Sequence, residues 1–188
     1  MNGGVLVTVL AALVLGGCAA AQKRDCVSGD WEGLGFRDGR AGLGFERVGE
    51  LAERCSDYDV TMDSAAWNTG YERGIAEYCE PSRGFDLGEE AGDYSGNCPP
   101  ALGRRYLSSY VRGLGVNRDA LQLDYDRLRR GLDTAQRERT GLLDDDEPDE
   151  DDIEDAEDRI DSLEARLEAN LDERRDVNAR IARWSRDL

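Results

Sequence analysis

The sequence predicts an all-α protein: a small disulfide-stapled bundle of short glycine-rich helices, followed by a long antiparallel helical hairpin (coiled coil). Short glycine and aromatic units recur between Cys26 and Gly115, and apolar residues at heptad spacing follow from Val116. Four cysteines lie within the glycine-rich part. The length of 188 residues suits one small domain with an extension. We therefore expect a stapled domain over residues 26–115 and a charged hairpin over residues 116–188.

The composition excludes several classes of active site. The chain has 41 acidic and 24 basic residues, a formal net charge of -17, and no histidine. Without histidine there is no Ser-His-Asp triad and no imidazole-ligated metal. The negative charge repels phosphate backbones, so we expect no nucleic-acid partner. The sequence predicts no catalytic residue, no cofactor and no metal site.

An apolar run near the N-terminus predicts export. Residues 5–15 read VLVTVLAALVL. Roughly 20 apolar residues are needed to span a bilayer as a helix, so this run is too short to be a permanent span. Its length is typical of the apolar centre of a secretory signal peptide. We therefore predict a signal peptide over residues 1–17.

The residues that follow this run carry a first resemblance. Leu15-Gly16-Gly17-Cys18 resembles the lipobox of bacterial lipoproteins, in which the cysteine is acylated and becomes N-terminal. The resemblance implies a lipid anchor, including palmitate, on Cys18 and a tether over residues 18–25. Ala19 stands where an Asp would signal inner-membrane retention, so the implied location is the cell outer membrane, facing the periplasm. The alternative is an ordinary signal peptide with an incidental thiol at Cys18.

The other cysteines, Cys26, Cys55, Cys79 and Cys98, predict two disulfides. Their number is even, which fits a chain exported to an oxidising compartment. Four thiolates can also bind zinc, but their spacing contains no C-x2-C pair. Four cysteines allow three pairings, and the spacing alone does not choose among them.

A unit of glycine, aromatic residue and glycine recurs along this part of the chain. The copies are Gly35-Phe36-Arg37-Asp38-Gly39, Gly70-Tyr71-Glu72-Arg73-Gly74, Gly84-Phe85-Asp86-Leu87-Gly88 and the weaker Ser109-Tyr110-Val111-Arg112-Gly113. Small residues four apart lie on one face of a helix, where they let two backbones approach closely. Short strands with glycine turns are the alternative, but strict alternation and β-branched residues are missing. We expect packed helices.

Capping and proline signals place these helices. The first is expected from Trp31 to about Glu53, with a kink at Gly42-Leu43-Gly44 and a cap at Ser28 or Asp30. Asp63 or Ser64 caps the second helix, which ends near Tyr78; the third follows Pro81-Ser82, and Pro99-Pro100 introduces the fourth.

The expected packing of these helices chooses a disulfide pairing. If consecutive helices are antiparallel, Cys26 at the start of the first helix lies near Cys79 at the end of the second. Cys55 and Cys98 then meet at the opposite end. The predicted disulfides are therefore Cys26–Cys79 and Cys55–Cys98.

Several motifs in the same region carry a second resemblance. They are Asp30-Trp31, the Gly-Phe-x-Asp-Gly of residues 35–39, Tyr71-x-x-Gly74, Tyr78-Cys79-x-Pro81 and Tyr94-x-x-x-Cys98-Pro99, in that order. Their combined spacing resembles an uncharacterised bacterial outer-membrane lipoprotein family, domain of unknown function two-seven-nine-nine, over about residues 26–113. The resemblance implies a periplasm-facing, cysteine-stapled, mostly helical domain with a longer helix behind it. The family has no established activity, so the resemblance implies no catalytic residue.

The tail carries the heptads of a helical hairpin. Its first seam is Leu121, Tyr125, Leu128, Leu132 and Ala135, and its second is Ile153, Ala156, Ile160, Leu163 and Leu167, then less regularly Leu171, Val177, Ile181 and Trp184. Pro148 stops one helix from running through the acidic turn predicted over residues 144–152. We expect a hairpin that is closed on itself or docked on the glycine-rich domain. A self-associating coil is the alternative, and the oligomeric state is left open.

Acidic residues offer two candidate chemistries, each with a plainer explanation. Residues 144–158 hold 12 acids and no base, which suits either weak calcium binding or a hydrated linker. An EF-hand is excluded because Asp149 stands where the loop needs glycine. Asp30 and Asp38 can be a glycosidase acid and base; otherwise Asp30 is a helix cap and Asp38 is a surface or salt-bridged acid. We prefer the plainer explanation in both cases.

Aromatic residues are the remaining candidates for binding. Trp31, Tyr71, Tyr78 and Tyr94 are candidate contacts for a partner or a sugar ring, although aromatics beside packing glycines are more often core. We expect a non-enzymatic structural or adaptor protein of the cell envelope, whose partners are the membrane through the lipid anchor and other envelope proteins. The alternative is a protein that binds peptidoglycan or another glycan.

Overall fold

The computed structural model describes residues 23–147 and 149–188, and every regular element in them is a helix. The helices are α1 (Trp31–Arg40), α2 (Arg47–Ser56), α3 (Ser64–Tyr78), α4 (Pro81–Glu89), α5 (Pro100–Leu143) and α6 (Glu150–Trp184), followed by a 3-10 turn at Ser185–Asp187. Residues 23–28 are helical as well. The prediction of an all-α chain is confirmed.

The described residues divide into two compact units. The first unit comprises residues 23–80 and 94–103, and the second comprises residues 81–93 and 104–188 without residue 148. This division differs from the expected boundary between residues 115 and 116. Helix α5 runs through that boundary without a break, because glycine in a helix costs only about 1 kcal/mol against alanine and packing compensates for it.

Three aspartates cap helices. Asp30 accepts from the Gly33 amide at 3.0 Å, and Asp63 accepts from the amides of Ala65 and Ala66 at 3.1 and 2.9 Å. Asp149 does the same for α6, accepting from the amides of residues 151 and 152. These bonds satisfy amide groups that have no partner within the helix. The predicted caps at Asp30 and Asp63 are confirmed.

The expected long first helix is wrong, and so is the disulfide pairing that followed from it. The chain ends α1 at Arg40 and reverses, with Gly42 at φ +70° in the left-handed region that favours glycine. Helix α2 therefore returns towards the start of α1, which brings Cys55 to Cys26.

The two disulfides join neighbouring cysteines in the sequence. Cys26 and Cys55 are bonded with a Cα–Cα distance of 5.4 Å, and Cys79 and Cys98 are bonded with a Cα–Cα distance of 5.7 Å. Both pairs lie in the first unit. All four cysteines form disulfides as predicted, but the pairs Cys26–Cys79 and Cys55–Cys98 are not formed.

The four glycine and aromatic units pair two by two. In the first unit, a Cβ added at Gly35 or Gly39 would lie less than 3.0 Å from the backbone of α3, and one added at Gly70 or Gly74 would lie as close to the backbone of α1. In the second unit, Gly84 and Gly88 of α4 and Gly113 of α5 make the same close approach. Small residues therefore bring two pairs of helix backbones together, as expected.

The two helix pairs are copies of one design. Tyr71 of the first pair donates its hydroxyl to Leu43 O at 2.8 Å, and Tyr110 of the second pair donates to Gly92 O at the same distance. Both acceptors lie four residues after the last glycine of the facing helix. The preceding residues, Gly42 and Ala91, have positive φ of 70° and 52°. The fold therefore contains the same arrangement twice, once in each unit: two helices packed through small residues, with a tyrosine of the second helix bonded to the turn after the first.

Each copy of the turn is also fastened by a distant side chain. Asn97 donates to Gly42 O at 2.9 Å in the first unit, and Arg180 donates to Ala91 O at 2.5 Å in the second. Both acceptors are carbonyls of the turn, two residues beyond the end of α1 or α4.

Helices α5 and α6 form an antiparallel hairpin within the second unit. Arg139 pairs with Glu157 and Arg159 with Glu138, near the turn. Farther from the turn, Leu128, Leu132 and Leu167 form a buried cluster together with partly buried Tyr125, Ile160 and Leu163. The hairpin is as predicted, whereas supercoiling of its helices stays a prediction.

The seam of α6 differs from the expected one in its second half. Leu171 is 38% exposed, whereas Asn170 is buried. The heptad spacing runs from Leu167 to Val177 through two polar residues, Asn170 and Arg174. Helix geometry places these two positions on the inner face even though their side chains are polar. The Asn170 amide donates to Leu121 O at 3.0 Å, and Arg174 bonds Gln122 and lies over the Tyr125 ring.

Candidate functional site

Most of the predicted binding aromatics are interior residues. The exposed fractions of Trp31, Tyr71 and Tyr94 are 7%, 6% and 8%, and Tyr78 is half-buried. A sugar stacked on a ring needs an open ring face, which the three buried rings lack, and the half-buried Tyr78 ring lies against Gly42. The predicted lipidation site, Cys18, lies outside the described residues.

One exposed aromatic side chain, which the sequence analysis missed, lies on the first unit. Phe45 is 56% exposed and lies edge-on against the rings of Trp67 and Tyr71, with both centroid distances at 5.8 Å. Trp67 and Tyr71 themselves are stacked at 4.8 Å. Phe45 stands outside the glycine repeat, in a turn that only the folded chain places over α3, so no sequence signal singled it out.

Asp38 is a buried carboxylate beneath this aromatic cluster. Its Oδ2 accepts from the Trp67 indole at 3.1 Å and lies 3.7 Å from Arg47 Nε. Burial raises the pKa of Asp38 above its ordinary value of 3.8, while the Trp67 hydrogen bond and Arg47 act in the opposite direction. The carboxylate therefore connects α1 to α3 through Trp67 and to the first residue of α2 through Arg47.

The two carboxylates considered as a glycosidase pair have separate structural roles. Asp30 caps α1 at an exposed position, whereas Asp38 is 6% exposed and occupied by Trp67 and Arg47. A general acid must reach the leaving group of its substrate, and Asp38 is covered on the side where the rings lie. The geometry favours the plainer explanation for both residues, since Asp30 is a helix cap and Asp38 is an acid paired with Arg47, although Asp38 is buried rather than at the surface.

Several acids of the hairpin turn cap the N-terminus of α6 or lie in its first turn. Residues 144–149 connect the two helices, and Asp149 caps α6, whose first turn holds Glu150, Asp151 and Asp152. Acids are favourable there because the helix N-terminus carries partial positive charge. No group of three or more acidic or cysteine side chains in the described part of the chain is arranged to hold a metal ion.

Within residues 23–147 and 149–188, no helix combines the length and apolar character needed to cross a membrane.

The comparison with known proteins gives one match. No curated protein and no solved structure matches the chain. The model of one family, described as protein of unknown function (DUF2799), matches residues 30–115. This range begins at the cap of α1, ends in α5, and contains both copies of the helix pair. Over residues 30–115 the chain is therefore similar to the family of proteins of unknown function DUF2799.

Proposed function

We propose that this chain is a non-enzymatic, lipid-anchored protein of the bacterial cell envelope that holds a charged helical arm on the periplasmic side of the outer membrane. Cys18 carries the lipid in this proposal, and residues 18–25 are the tether. The stapled helical domain supports the arm, and the arm meets other envelope proteins.

The two disulfides are the main observation that supports a location in the periplasm. Disulfides form and persist in the periplasm and outside the cell, and they are rare in the cytosol. All cysteines after residue 18 are used in the pairs Cys26–Cys55 and Cys79–Cys98. This supports export, which the N-terminal apolar run and the lipobox resemblance already predict. Because two or more acyl chains make a lasting anchor, lipidation would keep the protein at the membrane.

The hairpin supports the role of an interaction arm. Its apolar seam is filled within one chain by Leu128, Leu132 and Leu167 and their neighbours, so the seam needs no second chain for cover. Helix α6 has 35 residues and therefore extends about 50 Å at 1.5 Å per residue. Its outer positions are mostly charged and exposed. Such a surface suits polar, exchangeable contacts along its length.

The glycan-binding alternative has less support. It relied on four aromatic side chains, of which Trp31, Tyr71 and Tyr94 are buried. Phe45 and Tyr78 would have to make the stacking contacts.

Mass spectrometry of the mature protein tests the anchor. We expect an N-terminus at Cys18 that carries acyl chains, and recovery of the protein with outer-membrane vesicles after density separation. A mature chain that begins elsewhere and carries a free Cys18, or has lost it, would refute the anchor. Substitution of Ala19 by Asp is the matched variant, since it should move an enterobacterial lipoprotein to the inner membrane and leave an unlipidated protein where it was.

Site-specific photocrosslinking in cells tests the arm. A photoreactive residue is placed at exposed positions of the hairpin, such as Leu123 and Glu164, and at the exposed Glu53 of α2 as the matched control. We expect the hairpin positions to give discrete adducts with envelope proteins and the α2 position to give none of the same mass. Equal adduct patterns at all three positions would remove the arm from the proposal.

A further inference from the structure

A basic depression lies on the second unit beside the start of α4. It is open, has a volume of about 470 Å³, and is lined by Pro81, Arg104, Arg105, Ser108, Ser109 and Arg112. We call these six residues the basic face. No acidic side chain belongs to it, although acids outnumber bases 41 to 24 in the chain.

The basic face interrupts an otherwise acidic sequence. Residues 94–118 contain four arginines and no acid. Among the described residues, no carboxylate oxygen lies within 4.0 Å of a guanidinium nitrogen of Arg104, Arg105 or Arg112, whereas most other arginines of the hairpin are ion-paired. The positive charge of this face is therefore not neutralised by the fold.

The duplicated helix pair supplies an internal comparison. Arg73 of the first copy is equivalent to Arg112 of the second, and each lies over the equivalent phenylalanine, at 5.8 and 5.9 Å from the ring centroid. Arg73 forms an ion pair with Glu32 at 2.7 Å. The residue equivalent to Glu32 in the second copy is Pro81, which has no charge.

Two further positions differ in the same direction. Ala65 and Ala66 of the first copy become Arg104 and Arg105 of the second. The same backbone arrangement thus carries a neutralised arginine in one unit and three unneutralised arginines in the other. Packing does not require this change, because Arg104, Arg105 and Arg112 are exposed. Both copies keep the tyrosine hydrogen bond and three close glycine contacts, although Ser109 stands in the second copy where the first has Gly70.

The side chains of the basic face suit an oxyanion. Guanidinium groups bind phosphate through two parallel N–H bonds, and their planar fork matches its oxygens. Arg112 is oriented by its bond to Ser109 Oγ at 3.1 Å and by the Phe85 ring. The Ser108 hydroxyl can donate a further bond. Pro81 is the first residue of α4, so the positive end of that helix dipole adds to the potential.

We propose that Arg104, Arg105 and Arg112 form a binding site for a phosphate group. Two sources have this chemistry: free phosphate, and the phosphodiester of an anionic phospholipid headgroup. The proposal goes beyond the envelope role above and does not depend on lipidation of Cys18.

Isothermal titration of the full chain, purified with its disulfides in uncharged detergent, tests the site. Inorganic phosphate is one probe and glycerophosphoglycerol, the soluble headgroup of phosphatidylglycerol, is the other, with chloride as the reference anion. We expect saturable binding of one equivalent of at least one probe. Tighter binding of inorganic phosphate assigns the free anion as ligand, and tighter binding of glycerophosphoglycerol assigns the headgroup.

Three variants separate the basic face from charge in general. Arg104→Gln with Arg105→Gln should weaken binding at least about tenfold, because each lost charge-assisted bond is worth about one factor of ten. Pro81→Glu restores the acid of the first copy beside Arg112 and should weaken binding by a similar factor. Arg40→Gln with Arg73→Gln also removes two positive charges, but from ion-paired positions of the first unit, and should change affinity less than about twofold.

Several results would overturn the proposal. One is the absence of saturable binding of both probes, and another is equal binding by the basic-face and first-unit variants. A third is a chain that binds neither probe but self-associates in sedimentation velocity, when this association is abolished by the Arg104 and Arg105 substitutions. The basic face would then dock on the acidic turn of a second copy. Circular dichroism checks that each variant is folded, and Pro81→Glu keeps the test valid if the double arginine variant is not.

Discussion

Replacement of Gly70 by alanine tests whether the fold rests on the close approach of α1 and α3. Gly70 is buried, and a Cβ at this position would lie less than 3.0 Å from the carbonyl oxygen of Glu32 and from the amide nitrogen of Phe36. Both atoms belong to the backbone of α1 and cannot rotate away. The substitution therefore forces the two helices apart.

The expected cost follows from two opposing terms. Alanine gains up to about 1 kcal/mol over glycine as a helix former. Overpacking in a close-packed interface costs about 1–3 kcal/mol, and the upper end applies here because the obstacle is backbone. The net loss is about 2 kcal/mol, which corresponds to a decrease in melting temperature of about 4–8 °C for a protein of this size.

Gly115 provides the matched control. It lies within α5, and a Cβ added there would have no atom within 4 Å. Only the helix-propensity term remains, so Gly115→Ala should stabilise the protein by about 0.5–1 kcal/mol. Thermal and urea unfolding, followed by circular dichroism with the disulfides intact, measure both variants.

The test rests on the two substitutions changing the free energy of unfolding in opposite directions. Stabilisation by both substitutions would refute the close approach, because propensity alone would then explain them. Gly113→Ala, in the second copy of the helix pair, should destabilise the protein as Gly70→Ala does, since its Cβ would meet the backbone of α4.

Three further substitutions test other parts of the structure. The raised pKa of Asp38 means that its folded state favours the protonated form, so its contribution to stability is present below pH 3.8 and is lost as the pH rises through the folded-state pKa; urea titrations should show Asp38→Asn gaining stability over the native chain towards neutral pH, and a constant difference would contradict this. Replacing Cys79 and Cys98 by serine should lower the free energy of unfolding by about 3 kcal/mol, since the bond closes a loop with a sequence separation of 19; an unchanged urea midpoint would argue against the pair. Asn170→Leu should stabilise the hairpin by about 1 kcal/mol, because the Asn170 Oδ1 is buried without a hydrogen-bond partner; destabilisation in the same assay would indicate that its bond to the Leu121 carbonyl matters more.

The disulfide pairing illustrates why secondary-structure signals are insufficient by themselves. Asp30 and Asp63 are visible as caps because capping is a local interaction between one side chain and amides two or three residues away. The reversal after Arg40 is not local in this sense. Glycine in Gly42-Leu43-Gly44 is compatible with a kink or with a full helix end, and only packing against α3 decides between them.

The seam of α6 shows that a search for apolar residues also misplaces buried positions. A search for apolar residues at heptad spacing selects Leu171, because leucine stands there and asparagine stands at position 170. In the folded chain Asn170 is buried and Leu171 is 38% exposed. Helical periodicity decides which face a position occupies, and a polar side chain is buried there when a hydrogen bond to the facing helix is available.

The sequence by itself determined what depends on short-range chemistry: the helical class, the caps, the use of four cysteines in disulfides, and the glycine units that bring helices together. The tertiary structure decided which elements meet. It paired Cys26 with Cys55, paired the four glycine units two by two, and buried Tyr71 and Tyr110 of these units. It also brought Arg104, Arg105 and Arg112 together with Pro81 on one face. The physical reason is that capping and helix propensity act within one or two turns, whereas these partners come together only when the chain reverses and helix backbones pack.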